Sequence, residues 1–326
     1  MELSSKDFLP IPIDEFVKGL PIPVDLYIKL GDEKFVMIAK AKTQSNVDQF
    51  KNFQNKEIKY LWVIKKDFHL IAQQSLSLAG IAVTKKDLDD SQKTALVSHA
   101  VGSLFRQMEH SGMNKEVYNN AQQVTESLVG LVESLKSLNG LFNGLGKFSD
   151  QVLSHSIAVS TLSVMIGEQL GFTKRLTLEK LAMGGLLHDI GMRALPPDLS
   201  AKAVSAMNPA EIQLLETHAL RGKEILLQLG IVPDDIVSIV YEHHENPTGQ
   251  GYPQKLRDLK THPLAKITAL ADAYTDLTFA NINFPTVKTP HDALMHIEHT
   301  QGLPFNKDAF RALKRLIEED KKTNAA

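Results

Sequence analysis

The chain carries twelve histidines and no cysteine, and several of the histidines stand beside an aspartate or beside one another. His188-Asp189 follows the run Gly184-Gly185-Leu186-Leu187 and is closed by Ile190-Gly191. Burying two such titratable groups unpartnered costs on the order of several kcal/mol. Metal ligation removes that cost, because neutral imidazole and ionised carboxylate are the forms a divalent ion binds. A second pair, His243-His244, ends an apolar stretch containing Ile236, Val237, Ile239 and Val240. Consecutive helical residues point about 100° apart, so these two rings can reach two different ions. An aspartate has two oxygens and can bridge two ions, the arrangement of centres whose ions lie ~3.5–4 Å apart. His155 and His218 fall in helical stretches, and Asp272 interrupts the otherwise apolar Ala269-Leu270-Ala271-Asp272-Ala273. His69, His99, His110 and His262 have no companion ligand pattern and read as packing or surface residues, while His291, His296 and His299 read as a surface helix near the C-terminus, with a His-rich accessory site as the lesser alternative.

Two domains fit within 326 residues. The order of elements predicts an α+β chain. Residues 1–88 form a small mixed α/β domain, 89–144 a connecting helical pair, and 145–326 an all-helical bundle. Strands are expected over 24–30, 35–39 and 60–64, with Gly31-Asp32-Glu33-Lys34 as the turn between the first two and a helix over 46–54. From residue 90 onward apolar residues recur at helical spacing. Amphipathic helices are expected at about 149–170, 174–187, 208–229, 233–244, 261–280, 288–298 and 307–320. The three-and-four spacing through 115–138 is also compatible with a signalling helix or dimer seam.

A net charge of -2, with 43% hydrophobic and 23% charged residues, gives no one-signed field for DNA or RNA. The absence of cysteine excludes disulfides and thiolate chemistry. No apolar run approaches the ~20 residues that span a bilayer, and the first residues lack the basic and apolar regions of a secretory signal. A cytoplasmic location without membrane insertion is expected.

Taken in order, several motifs resemble the HD-GYP family, a branch of the HD phosphohydrolases. They are Ser154-His155-Ser156, His188-Asp189-Ile190-Gly191, Thr217-His218 with Gly222, Glu242-His243-His244-Glu245, Gly249-Gln250-Gly251-Tyr252-Pro253, Ala271-Asp272 and Gly302-Leu303-Pro304-Phe305. The resemblance covers about residues 145–320 and implies an HD-type helical domain holding two divalent ions, iron first, then manganese, with zinc allowed. Carried over, His188 and Asp189 are ligands with Asp189 bridging. His155 and Asp272 complete one ion, and His218, His243 and His244 serve the other. The implied activity is hydrolysis of cyclic di-GMP or a related phosphoester by a hydroxide shared between the ions, with Asp189 and Tyr252 as catalytic candidates. Tyr252 shapes the loop or touches substrate, and Glu245 orients a ligand imidazole or is solvated. The N-terminal segment around 20–28 looks like the small accessory domain that precedes some HD-GYP modules.

The departures from the family lie on the substrate side. Met192 replaces a lysine after His-Asp-Ile-Gly. Asn246 and Thr248 stand where arginine and aspartate are usual. The usual Asp-Ala-Leu-Thr reads Thr275-Asp276-Leu277-Thr278, and the basic motif that follows reads Asn281-Ile282-Asn283-Phe284. Gln151 replaces the glutamate of three-metal members, which favours two ions. Arg193, Arg221 and Lys266 are candidate replacements for the missing cations. Three readings follow: a phosphodiesterase, a weakly active or inactive module that binds metal, nucleotide or a GGDEF-domain partner, and a phosphohydrolase with another substrate.

Overall fold

The computed structural model describes residues 4–325, apart from 14–15, 17–19, 45–51, 54, 136–137, 146–149 and 301–304. Most of the expected 46–54 helix and the Gly302-Leu303-Pro304 segment therefore lie outside the described residues. The chain divides into two compact units, 1–78 and 79–326.

The first unit is built on a four-stranded antiparallel sheet: β1 (Phe8–Pro12), β2 (Leu26–Gly31), β3 (Lys34–Ala39) and β4 (Tyr60–Ile64), in the order β1-β4-β2-β3. Alternation drives it: Leu61 and Val63 of β4 are buried while Tyr60 is exposed, because successive side chains point to opposite faces. The inward residues join Leu9, Ile11, Val24, Leu26 and Ile71 in one core. Strand β1 has no counterpart in the sequence reading. Its Pro10 and Pro12 argue against a strand, yet among the described strands β1 pairs with β4 alone, at the sheet edge, where missing N–H groups are tolerated.

Helix α1 (Phe68–Thr84) runs across the division between the units and includes the Gly80-Ile81-Ala82-Val83 stretch. The second unit continues with α2 (Asp90–Ser111), α3 (Lys115–Ser134), α4 (Leu138–Leu145), α5 (Gln151–Gln169) and α6 (Arg175–Leu187). After these come α7 (Pro209–Glu216), α8 (His218–Leu229), α9 (Asp234–Glu242), α10 (Pro263–Thr278), α11 (Pro290–Thr300) and α12 (Lys307–Ala325). The starts are written in the sequence. Asp89 with Gln92 and Asn208 with Glu211 form capping boxes, and Asp150 caps α5 by accepting from Leu153 N–H. The single helix expected over 208–229 is two, α7 and α8, divided at Thr217. Helices α2 to α4, expected as part of a connector, pack within this unit, with α2 and α3 against α5 and α3 against α6.

The helix at the centre is α5. From Leu153 to Gly167 every residue except His155 is buried, so it is apolar or small all round rather than amphipathic. It is enclosed by α2, α3, α6, α10 and α12. Ser160 Oγ donates to Ala182 O at 2.7 Å across to α6, which satisfies a buried hydroxyl. The α5–α6 approach depends on Gly185, where a Cβ would lie 2.7 Å from Ser160 Cα and 3.0 Å from Ser160 N. Those atoms are backbone and cannot rotate away. Replacing Gly185 with alanine is expected to destabilise the full chain by ~1–3 kcal/mol through overpacking. By contrast, Gly80→Ala, in helix α1 with nothing within 4 Å of the new Cβ, is expected to be neutral or to stabilise by up to ~1 kcal/mol. Denaturant unfolding of both variants checks this opposition of signs.

Candidate metal centre

The last carbonyls of a helix have no intrahelical N–H partner, and three histidines are placed to use them. His188 follows α6 and its Nδ1 lies 2.7 Å from Gly185 O. His243 follows α9 with Nδ1 2.9 Å from Val240 O. At the α7–α8 junction His218 has Nδ1 2.8 Å from Leu215 O. Each ring thus donates Nδ1–H to the carbonyl three residues earlier, which fixes the tautomer and leaves the Nε2 lone pair facing away from the helix end.

Those lone pairs converge. His218 Nε2 and His243 Nε2 are 3.3 Å apart, as are His155 Nε2 and His188 Nε2. Two acceptors at this distance repel unless a positive charge lies between them. Asp189 spans the two pairs. Its Oδ1 is 3.3 Å from His218 Nε2 and 3.7 Å from His243 Nε2, while Oδ2 is 3.4 Å from His188 Nε2. Asp272 Oδ1 is 3.1 Å from His155 Nε2 and 3.7 Å from His188 Nε2. His244 completes a group with Asp189, His218 and His243, each offering a ligand atom within 4.8 Å of the others; His155, His188 and Asp189 form a second such group. The structure therefore brings all seven sequence-selected residues to one place, and these clusters can bind metal.

Close backbone contact makes this possible. A Cβ on Gly191 would lie 1.9 Å from His218 O and 2.6 Å from Gly222 N. Only glycine allows the turn after Asp189 to rest on the start of α8, and so sets the Asp189–His218 distance.

The charges suit divalent cations. Burial opposes an imidazolium at His188, yet the Asp189 and Asp272 carboxylates push its pKa up to about 10. Burial would raise Asp189, but the His188 charge, with His243 and His218 close by, holds it well below the carboxylate range. His218 and His244 are pushed down by burial and by the neighbouring imidazole of His243. The carboxylates thus stay ionised, His188 favours its charged form beside them and His218 and His244 their neutral form; this is a nitrogen and oxygen donor set that fits iron, manganese or zinc.

Residues 145–306 match the HD domain family. The chain is 34% identical over 172 residues to the cyclic di-GMP phosphodiesterase PA4108 of Pseudomonas aeruginosa, covering 52% of this chain and 41% of that protein. It is 26% identical over 155 residues to the 3'3'-cGAMP-specific phosphodiesterase 1 of Vibrio cholerae, covering 48% and 35%. Its fold is similar to that of Bd1817, an HDG"Y"P protein from Bdellovibrio bacteriovorus, with a TM-score of 0.71 at 19% identity over 96% of this chain and 100% of that one. The helical unit belongs to the HD-GYP family. The matched part spans only about two fifths of the length of these curated relatives.

Within this HD-GYP domain, Tyr252 packs its ring on His244, with centroids 4.5 Å apart, and edge-on to His218 at 6.0 Å. Burial, then the Asp189 charge, raise its pKa well above the usual phenol value, so it remains a hydrogen-bond donor. Glu245 neither orients an imidazole nor faces solvent. Its two oxygens accept from Gln254 N at 2.6 Å and Leu256 N at 2.7 Å, beyond Tyr252 in the loop, while Gly251 lets the loop pass against His244 O, where a Cβ would sit at 2.3 Å. Similarly, Glu242 accepts from His262 N at 2.7 Å, at the start of the helix that bears Asp272.

A cavity of about 450 Å³ opens beside the centre, lined among others by His243, His244, Asp272, Asn246, Phe284 and Phe305 and, among the described residues, by no lysine or arginine. The three candidate cations are engaged elsewhere. Arg193 reaches Phe105 O and Glu109, Arg221 bonds Thr217 Oγ1 and Ala194 O, and Lys266 pairs with Asp258 at 3.1 Å. One acidic residue at the site escaped the sequence reading: Asp276, which groups with His155 and Asp272. Its spacing of four from Asp272 on one helix was the available signal.

Glu245→Ala leaves two loop N–H groups without their acceptor, at ~1–3 kcal/mol. Hydrogen exchange is expected to accelerate at Gln254 and Leu256 while the α5 amides keep their protection.

Proposed function

We propose that the helical unit is a metal-dependent phosphodiesterase acting on a cyclic dinucleotide, cyclic di-GMP foremost. The observation that carries this reading is the two-sided position of Asp189, with one oxygen toward His218 and His243 and the other toward His188. The activities of the Pseudomonas and Vibrio relatives support a cyclic dinucleotide as the substrate class. His155, His188, Asp189 and Asp272 would hold one ion, and Asp189, His218, His243 and His244 the other, with iron preferred to manganese and zinc. When bound, such a pair lowers the pKa of water towards neutrality and offsets charge on phosphoryl oxygens. The chain's own residues supply the rest. Helix-end carbonyls keep the imidazoles aimed, and Tyr252 donates a hydrogen bond from the His244 side. Phe284 and Phe305 give the cavity apolar walls against which a base can lie.

A second reading rests on the same cavity. A charge-assisted contact to phosphate contributes ~1.5–3 kcal/mol, about ten- to a hundredfold in affinity for each, and among the described residues no lysine or arginine lines this cavity. Phosphate recognition then falls on the metals and on neutral donors, which suits a slow enzyme or a module that binds nucleotide or a GGDEF-domain partner without turnover. Among the described residues no helix is long and apolar enough to cross a membrane.

Full-length protein loaded anaerobically with Fe²⁺, or with Mn²⁺, and incubated with cyclic di-GMP separates these readings. The phosphodiesterase reading expects linear pGpG by chromatography, with His188→Ala at background and its metal content reduced. Binding of the intact dinucleotide with no product above that control supports the module. Turnover confined to other phosphoesters in a panel moves the substrate class.

A further inference from the structure

Asp276 lies one helical turn beyond Asp272 on α10, so the two carboxylates leave the same face. Its Oδ1 is 3.6 Å from His155 Nδ1, while Asp272 Oδ1 is 3.1 Å from His155 Nε2. The three residues offer ligand atoms within 4.8 Å of one another. Two carboxylates this close repel when both are ionised. Among the described ion pairs neither is matched by lysine or arginine; both face histidine. The side-chain donor to Asp276 is the neutral amide of Asn281, 3.3 Å from Oδ1. Both carboxylates line the cavity beside the centre, so an ion arriving from solvent meets them. A role limited to steadying the His155 ring is disfavoured, because 3.6 Å is beyond hydrogen-bond reach.

Building on the two-ion reading above, we propose that Asp276 is an additional ligand at the His155 end, and that it makes the two halves of the centre chemically unlike. One half then combines the carboxylates of Asp189, Asp272 and Asp276 with the imidazoles of His155 and His188. The other combines the imidazoles of His218, His243 and His244 with the shared Asp189. Oxygen-rich sites favour hard ions of the Mn²⁺ class, and imidazole-rich sites favour Fe²⁺, Co²⁺ or Zn²⁺. The centre is therefore suited to two different ions.

The test is calorimetric titration of the metal-free full chain with Mn²⁺, together with visible spectra of the Co²⁺-loaded protein. Wild type is expected to show two binding events. Asp276→Ala should weaken one of them by roughly tenfold or more and leave the other within about twofold. Asp272→Ala should weaken that same event, and His244→Ala the other. In the Co²⁺ protein, Asp276→Ala should intensify the ligand-field bands, since loss of a ligand lowers the coordination number of one ion. Asp276→Asn, nearly isosteric, carries the same expectation for Mn²⁺ if the alanine variant does not fold. Unchanged events overturn the proposal, as does equal weakening of both. Weaker Mn²⁺ binding with unaltered Co²⁺ bands also overturns it, because Asp276 would then be a positioning residue. Failure of the wild-type chain to take up either ion sinks the two-ion reading itself, a result distinct from all of these.

Discussion

The site depends on a hydrogen bond made three times: an imidazole Nδ1–H given to a carbonyl three residues earlier at a helix end. It satisfies a backbone group that the helix leaves unpaired, and it commits the ring's other nitrogen to a shared space. Local structure and site chemistry are thereby one event. The sequence need only end two helices, and break another at Thr217, with histidine in the right place. His155 and His244 lie outside this pattern: His155 stands within α5 and is aimed by the packing around a helix buried almost throughout, and His244 packs between the rings of His243 and Tyr252.

Much of this was legible in the residues. Adjacent His-Asp and His-His pairs closing apolar runs marked the cluster, and helical periodicity placed α5, α6, α9 and α10 close to their observed bounds. What escaped shares a physical cause: its meaning lay in tertiary contact. Pro10 and Pro12 argue locally against a strand, and only the edge position of β1 makes them acceptable. The spacing of four from Asp272 was the one local sign of Asp276, and its neighbour His155 is more than a hundred residues away in sequence. Glu245 stands beside His244, a candidate ligand, which suggested a role toward the ring, but its oxygens turn to the loop backbone instead. The three candidate cations were readable as residues, whereas their engagement with Phe105, Thr217, Ala194 and Asp258 was not.

The contrast between the centre and its surroundings shapes the functional reading. Donors for metal are dense, buried and mutually oriented, while the adjoining cavity is lined, among the described residues, by amides, Thr248, carboxylates and two phenylalanines and by no lysine or arginine. Affinity for a phosphorylated ligand would then come chiefly from bound ions and from contact with the parts of the ligand that carry no charge.

Because the donors come from α5, the end of α6, the α7–α8 junction, the end of α9 and α10, an unfolded chain has no equivalent site. Ion uptake and the native state are consequently linked. Once free ion exceeds the dissociation constant, each further tenfold rise deepens the folded basin by about 1.4 kcal/mol per ion bound. Scarcity of the ion would loosen the same five segments together, so the persistence of this unit follows the supply of its metal.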